Sequence, residues 1–120
     1  MPENSSGHRA FQATAVAIAP YLRVKVDSAG LISVASAAEG AIGVTTHAVP
    51  ASGIGNVKLF SAPGTYLMTA ASAITRGARL FPAASGLVDD TGTTALNLCA
   101  LEAATAANDV IECAPAFLGA

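Results

Sequence analysis

Asp90-Thr91-Gly92 is the string in this chain that most resembles catalytic machinery. In aspartic proteases such a triplet sets a carboxylate beside its symmetry mate, so that two close carboxylates share one proton. Only a short stretch follows Gly92 here, and no second triplet exists to supply the mate. Asp, Thr and Gly are also turn residues, so the string is expected to be a surface turn between strands. His8, His47, Cys99 and Cys113 are the soft metal-ligand candidates. Zinc sites in short chains show close ligand pairs, whereas these four are scattered, so no metal is expected. Gly53-x-Gly55 runs into Asn56 and a strand rather than a helix N-terminus, and so is no phosphate cradle. No G-x-S-x-G elbow accompanies the many Ser and Thr residues. The expectation is a protein that is not an enzyme and carries no cofactor.

Composition sets the next limits. The chain has 120 residues and a mass of 11.8 kDa, enough for one small domain. Its apolar share is 52%, but much of that is alanine, with Phe 4, Tyr 2 and Trp 0. A thin aliphatic core of this kind is marginal in a monomer, and small domains in that position need disulfides, a metal or partner subunits. Partner subunits are the expectation. The net charge of −2 is spread without a basic cluster, which argues against nucleic-acid binding. No apolar run approaches the roughly 18–20 residues of a membrane span. The opening residues have neither a cationic start nor an apolar stretch, so no signal peptide and a cytoplasmic origin are expected. Cys99 and Cys113 then read as reduced, small buried hydrophobes, although their placement on consecutive strands leaves a disulfide geometrically open. Only 12% of residues are charged. A surface of Ala, Ser, Thr and Gly loses little on desolvation and suits assembly.

The elements that must carry these residues are short and β-like. Apolar stretches bounded by Gly, Pro, Asn and Asp run over 21–26, 31–34, 41–46, 57–61, 65–69, 78–81, 87–88, 95–101 and 110–113. Such spacing predicts an all-β sandwich or barrel. Leu22-Arg23-Val24-Lys25-Val26 alternates as a strand with one wet face does. The Ala-rich pieces 70–73 and 102–107 are too short to hold helices and read as loops or single turns. Residues 1–12 read as a flexible N-terminal arm and 13–120 as the β-rich domain. His8, Arg9 and Phe11 in that arm are the candidate contact residues: an extended segment can add to a partner's sheet edge, with Phe11 as the anchor.

The chain also repeats itself. At an offset of 56 residues, Ile18, Arg23, Gly30 and Leu31 meet Ile74, Arg79, Gly86 and Leu87, and Ile42 falls on Leu98. Past the loop an offset of 54 sets Val57 on Ile111. Two similar β units packed into one core, a single pseudo-symmetric barrel, follow from this spacing. Ile42, Val44, Val57 and Leu59 are expected in that core.

Ala19-Pro20-Tyr21-Leu22, Asp27 to Ile32, Gly40-Ala41-Ile42-Gly43-Val44, Val57 to Ser61 and Gly64-Thr65-Tyr66 resemble tailed-phage head decoration proteins of the phage-lambda type. Ala73 to Leu80 and Ala100 to Ala104 look more like the related capsid cement proteins. Together the resemblances span about residues 13–114, and the chain departs from the lambda type in lacking Trp. The resemblance implies a decoration (cement) protein, made in the host cytoplasm, on the outer capsid surface of the virion. Its partners would be the shell of major capsid protein and itself, as a homotrimer bridging capsomers of the expanded head. The rival reading is a small oligomeric β-barrel recognising a ligand such as a glycan. With Trp 0 and Tyr 2 the sequence offers little to a sugar face, which argues against it.

Overall fold

The backbone breaks at Gly, Asn and Asp turns into strands of two to six residues, and among the described residues every regular element apart from one 3-10 turn is β. The computed structural model describes residues 7–62, 64–92 and 95–115. Within them the order is β1 (His8–Ala13), β2 (Arg23–Val26), β3 (Leu31–Val34), β4 (Gly43–Thr45), β5 (Ile54–Leu59), β6 (Tyr66–Thr69) and β7 (Phe81–Pro82). The 3-10 turn Ala84–Gly86 precedes β8 (Val88–Asp89), β9 (Leu98–Ala100) and β10 (Val110–Pro115). The all-β class agrees with the sequence reading, as do the positions of β2 to β10 to within about three residues; β1 was not expected. No α-helix occurs among the described residues.

The first five strands close a barrel in the order β1-β3-β2-β4-β5. β1 lies antiparallel to β5, with Phe11 opposite Gly55, and parallel to β3, with Ala13 opposite Ile32. Closure removes both sheet edges, so their backbone donors and acceptors are satisfied within the ring.

The second half repeats the first, pairing for pairing. Phe11–Gly55 becomes Met68–Ile111, Lys25–Ser33 becomes Phe81–Asp89, and Thr45–Val57 becomes Ala100–Cys113. The two remaining joints are isolated bridges: Ala70–Val88, parallel, and Arg79–Cys99, antiparallel. Ile18–Val49 recurs as Ile74–Ala104. Left-handed backbone recurs as well, at Gly7 and Gly64, Tyr21 and Gly77, Gly30 and Gly86, Ser52 and Asn108.

The repeat expected from the sequence is therefore real, but two details change. The offset is 57 at Phe11/Met68, 56 at Ile32/Val88 and 55 at Thr45/Ala100, because the loops differ in length. Gly43, not Ile42, answers to Leu98, and Val57 answers to Cys113, not Ile111. Nor is there one shared core. Ala13, Ile18, Val24, Ile32, Val49 and Val57 form one cluster; their counterparts Ala70, Ile74, Leu80, Val88, Ala104 and Cys113 all belong to a second. Val44, from β4 of the first half, joins the second cluster and binds the halves together. Of the four expected core residues, Val44 and Val57 are fully buried, while Ile42 and Leu59 pack half-buried against the first cluster.

The N-terminal segment needs a larger correction. Residues 8–12, read as part of a flexible arm, are barrel strand, and residues 1–6 lie outside the described residues. The run His8-Arg9-Ala10-Phe11-Gln12 shows little apolar alternation because it is held by backbone pairing, to β5 along its length and to β3 from Gln12.

Candidate functional site

Phe11 sits in the middle of β1, half-buried on the edge of the first core. Arg9, two residues earlier, emerges on the same side of the strand. Its guanidinium carbon lies 4.9 Å from the Phe11 ring centroid, a cation–π contact worth about 0.5–1 kcal/mol at an exposed site. With Val26, Gly30, Ile42 and Leu59 this pair lines a shallow hollow of about 450 Å³.

His8 is turned elsewhere. Asn56 Nδ2 donates to its Nδ1 at 3.1 Å. Its ring borders a separate cleft between the halves, about 470 Å³, with Tyr21, Thr46, Lys58, Thr65 and Glu112 around it. There Lys58 Nζ donates to Thr65 O and stands 4.8 Å from the Tyr66 ring centroid. Thr65 Oγ1 donates to Glu112 Oε2 at 2.7 Å. Tyr21 at the cleft wall has a φ of 62° where its counterpart is Gly77, a conformation costing roughly 1–2 kcal/mol for a residue with a Cβ. The structure brings Arg9 and Phe11 together and places His8 on a different surface.

The enzyme-like string lies at the end of β8. Asp89 accepts from Ser72 Oγ at 2.7 Å and from the Asp90 amide at 2.8 Å. The Ser72 bond, ahead of the other causes, holds its pKa below the ordinary value. Thr91 and Gly92 are exposed. Among the described residues no three of His, Cys, Asp or Glu gather as a metal site would need.

Cys99 and Cys113 are free thiols. Cys113 pairs with Ala100 and Cys99 with Ala114, so the two side chains alternate to opposite faces of the sheet. Burial, chiefly, pushes the Cys113 thiol up to about 12, helped by the charges of Cys99, Glu102 and Glu112.

The residue that the sequence reading misplaced is Arg23. Its alternation with Val24 predicts a wet face, yet Arg23 is 0% exposed. The β7–β8 turn of the second half covers it. Arg23 Nε donates to Leu87 O at 3.1 Å and Nη2 to Ala83 O at 2.7 Å, while Gly86 N donates to Ala35 O at 2.9 Å. Desolvation lowers its pKa, and Nη1 is buried with no partner in the structure. Gly86 is required there: a Cβ would lie 2.8 Å from Val34 Cγ1 and 3.0 Å from Arg23 O. A usable signal was present, because the repeat frame aligns Arg23 with Arg79, and two like positions in unlike surroundings mark a junction.

No protein-family model and no curated protein matches this chain. Among solved structures, the head fiber gp8.5 N base of bacteriophage phi29 superposes with a TM-score of 0.73. The two sequences are 17% identical, and the match covers 94% of this chain and 99% of that one. They share a fold. At that coverage the shared fold spans both halves.

Proposed function

We propose that this chain is a structural protein of a phage head, bound to the outer surface of the expanded shell. It would bridge capsomers as a homotrimer in the manner of a decoration protein. The observation that carries the reading is the shared fold over nearly the full length of a head fiber base. The resemblance of Ala19 to Leu22, Gly40 to Val44 and Gly64 to Tyr66 to head decoration proteins points the same way. A surface with 12% charged residues supports it, since little hydration is lost when such a surface is covered.

In this reading Arg9 and Phe11 meet the shell, with His8 on the neighbouring surface. They would do so from the barrel wall and not from a free arm. Three such contacts per trimer bind by avidity, each made at high effective concentration once the first has formed. Weak single contacts then hold only where the shell presents its neighbours correctly.

The test is co-sedimentation of the purified protein with expanded, undecorated heads. Saturation at a fixed fraction of the shell subunits is expected. Phe11→Ala is expected to remain folded and to lose head affinity at least about tenfold, as truncating an anchor does. No binding by folded protein to verified expanded heads would overturn the reading and favour a ligand-binding barrel, with the cleft between the halves as its site.

A further inference from the structure

We propose that the contact joining the two halves inside the chain is repeated between chains, with Arg79 of one copy seated on the Asp27–Leu31 hairpin of the next. This rests on the self-association in the reading above and names the surfaces that carry it.

Inside the chain, Arg23 of the first half binds the carbonyls of Ala83 and Leu87, the ends of the β7–β8 turn. By the repeat, the counterpart of Arg23 is Arg79, and those of Ala83, Gly86 and Leu87 are Asp27, Gly30 and Leu31. The two turns share a closing bond and a left-handed glycine, although Ser85 is itself left-handed, with a φ of 58°, where Ala29 is not. Asp27 N donates to Leu31 O at 2.9 Å, Ala83 N donates to Leu87 O at 2.9 Å, and Gly30 and Gly86 have φ values of 82° and 75°. What differs is burial. Arg23 and Gly86 are covered, whereas Arg79, Asp27 and Gly30 are exposed. A Cβ on Gly30 would meet nothing within 4 Å. One chain thus ends in the arginine half of its own junction on one side and the hairpin half on the other.

Charge selects a second copy as the occupant. Asp27 stands where the internal junction has Ala83, so an arginine arriving from another chain meets a carboxylate as well as the two carbonyls. The Asp27 carboxylate already accepts from Ala29 N at 2.9 Å and Leu31 N at 3.0 Å, which fixes its position. Charge-assisted pairing of guanidinium and carboxylate is directional. Because the two surfaces are different, the contact runs head to tail, and such a contact closes into a ring when the rotation allows.

Sedimentation velocity on the full chain tests this. The wild type is expected as a closed oligomer that weakens with added salt. Arg79→Asp, an exposed change that leaves the fold intact by circular dichroism, is expected at monomer mass. The double variant Asp27→Arg/Arg79→Asp, which restores opposite charges across the contact, is expected to recover the oligomer. A wild type that stays monomeric at the highest attainable concentration would overturn the proposal, as would an unchanged oligomer in Arg79→Asp. Head binding is read separately: wild-type binding to heads with no such oligomer would sink this contact and leave the head reading standing. An oligomer that fails to bind heads would do the reverse.

Discussion

Arg23 and Arg79 are one position in two settings, and the contrast can be measured. Replacing Arg23 by Ala strips Ala83 O and Leu87 O of their donor and opens a void under the β7–β8 turn. Unsatisfied buried acceptors cost about 1–3 kcal/mol and lost packing adds to that, so Arg23→Ala is expected to lower stability by about 2–4 kcal/mol. Arg79→Ala, at an exposed position, is expected within about 0.5 kcal/mol. Urea denaturation in dilute solution checks both, and equal losses would contradict the junction. The thiols offer a second residue-level contrast. Cys113 is 0% exposed with its pKa pushed to about 12, so alkylating reagent is expected to reach Cys99 first and Cys113 only on unfolding. Mass spectrometry of the labelled protein reads this directly. Sequence alone placed Cys113 among small buried hydrophobes, and its counterpart Val57 shows why: the same core slot takes either side chain.

At the scale of elements, β1 is the strand that pattern reading misses. Its residues run exposed, exposed, exposed, half-buried, exposed, buried, so no alternation of apolar side chains betrays it. Its stability comes from ladders to β5 and β3. Removing residues 1–12 therefore takes away most of a barrel strand, and loss of the cooperative unfolding transition is expected by circular dichroism. Other strands were legible because turn residues bound them and because one face packs inward. Turns were legible as turns, but not their burial. Gly30 and Gly86 have like φ, yet only Gly86 faces packed atoms. Gly30→Ala is expected to cost about 1 kcal/mol, the left-handed penalty alone. Gly86→Ala is expected to cost more, through contact with Val34 and Arg23, and thermal unfolding of the pair reads the difference.

For the whole molecule, the two halves are expected to unfold together. Val44 packs in the second core, Arg23 lies under the second half's turn, and Tyr66 Oη donates to Phe60 O and Ala62 O at 2.8 and 2.9 Å. A chain cut after residue 62 exposes Val44 and Arg23 and is expected not to fold. Acid acts on the entire chain through three carboxylates. Glu39 is held at about 2 by its hydrogen bond from Lys25, then by the Ser36 amide, and Asp109 is lowered first by the Thr105 amide. Asp89 is lowered by Ser72. Each folded value lies below the unfolded one, so their stabilisation is complete above about pH 4.5 and is lost as pH falls toward 2. The thermal midpoint is expected to drop across that window, and less so in Glu39→Gln; a flat profile would contradict these pairings. By itself the sequence determined the all-β class, the turns and the existence of a repeat. Those depend on local backbone preference and on a frame of Ile, Arg and Gly that survives in both copies. Tertiary structure decided which arginine is buried, that the repeat has two cores, and that the first strand closes a barrel. These depend on contacts between distant residues, where one surface is covered only because the chain folds its second copy back onto its first.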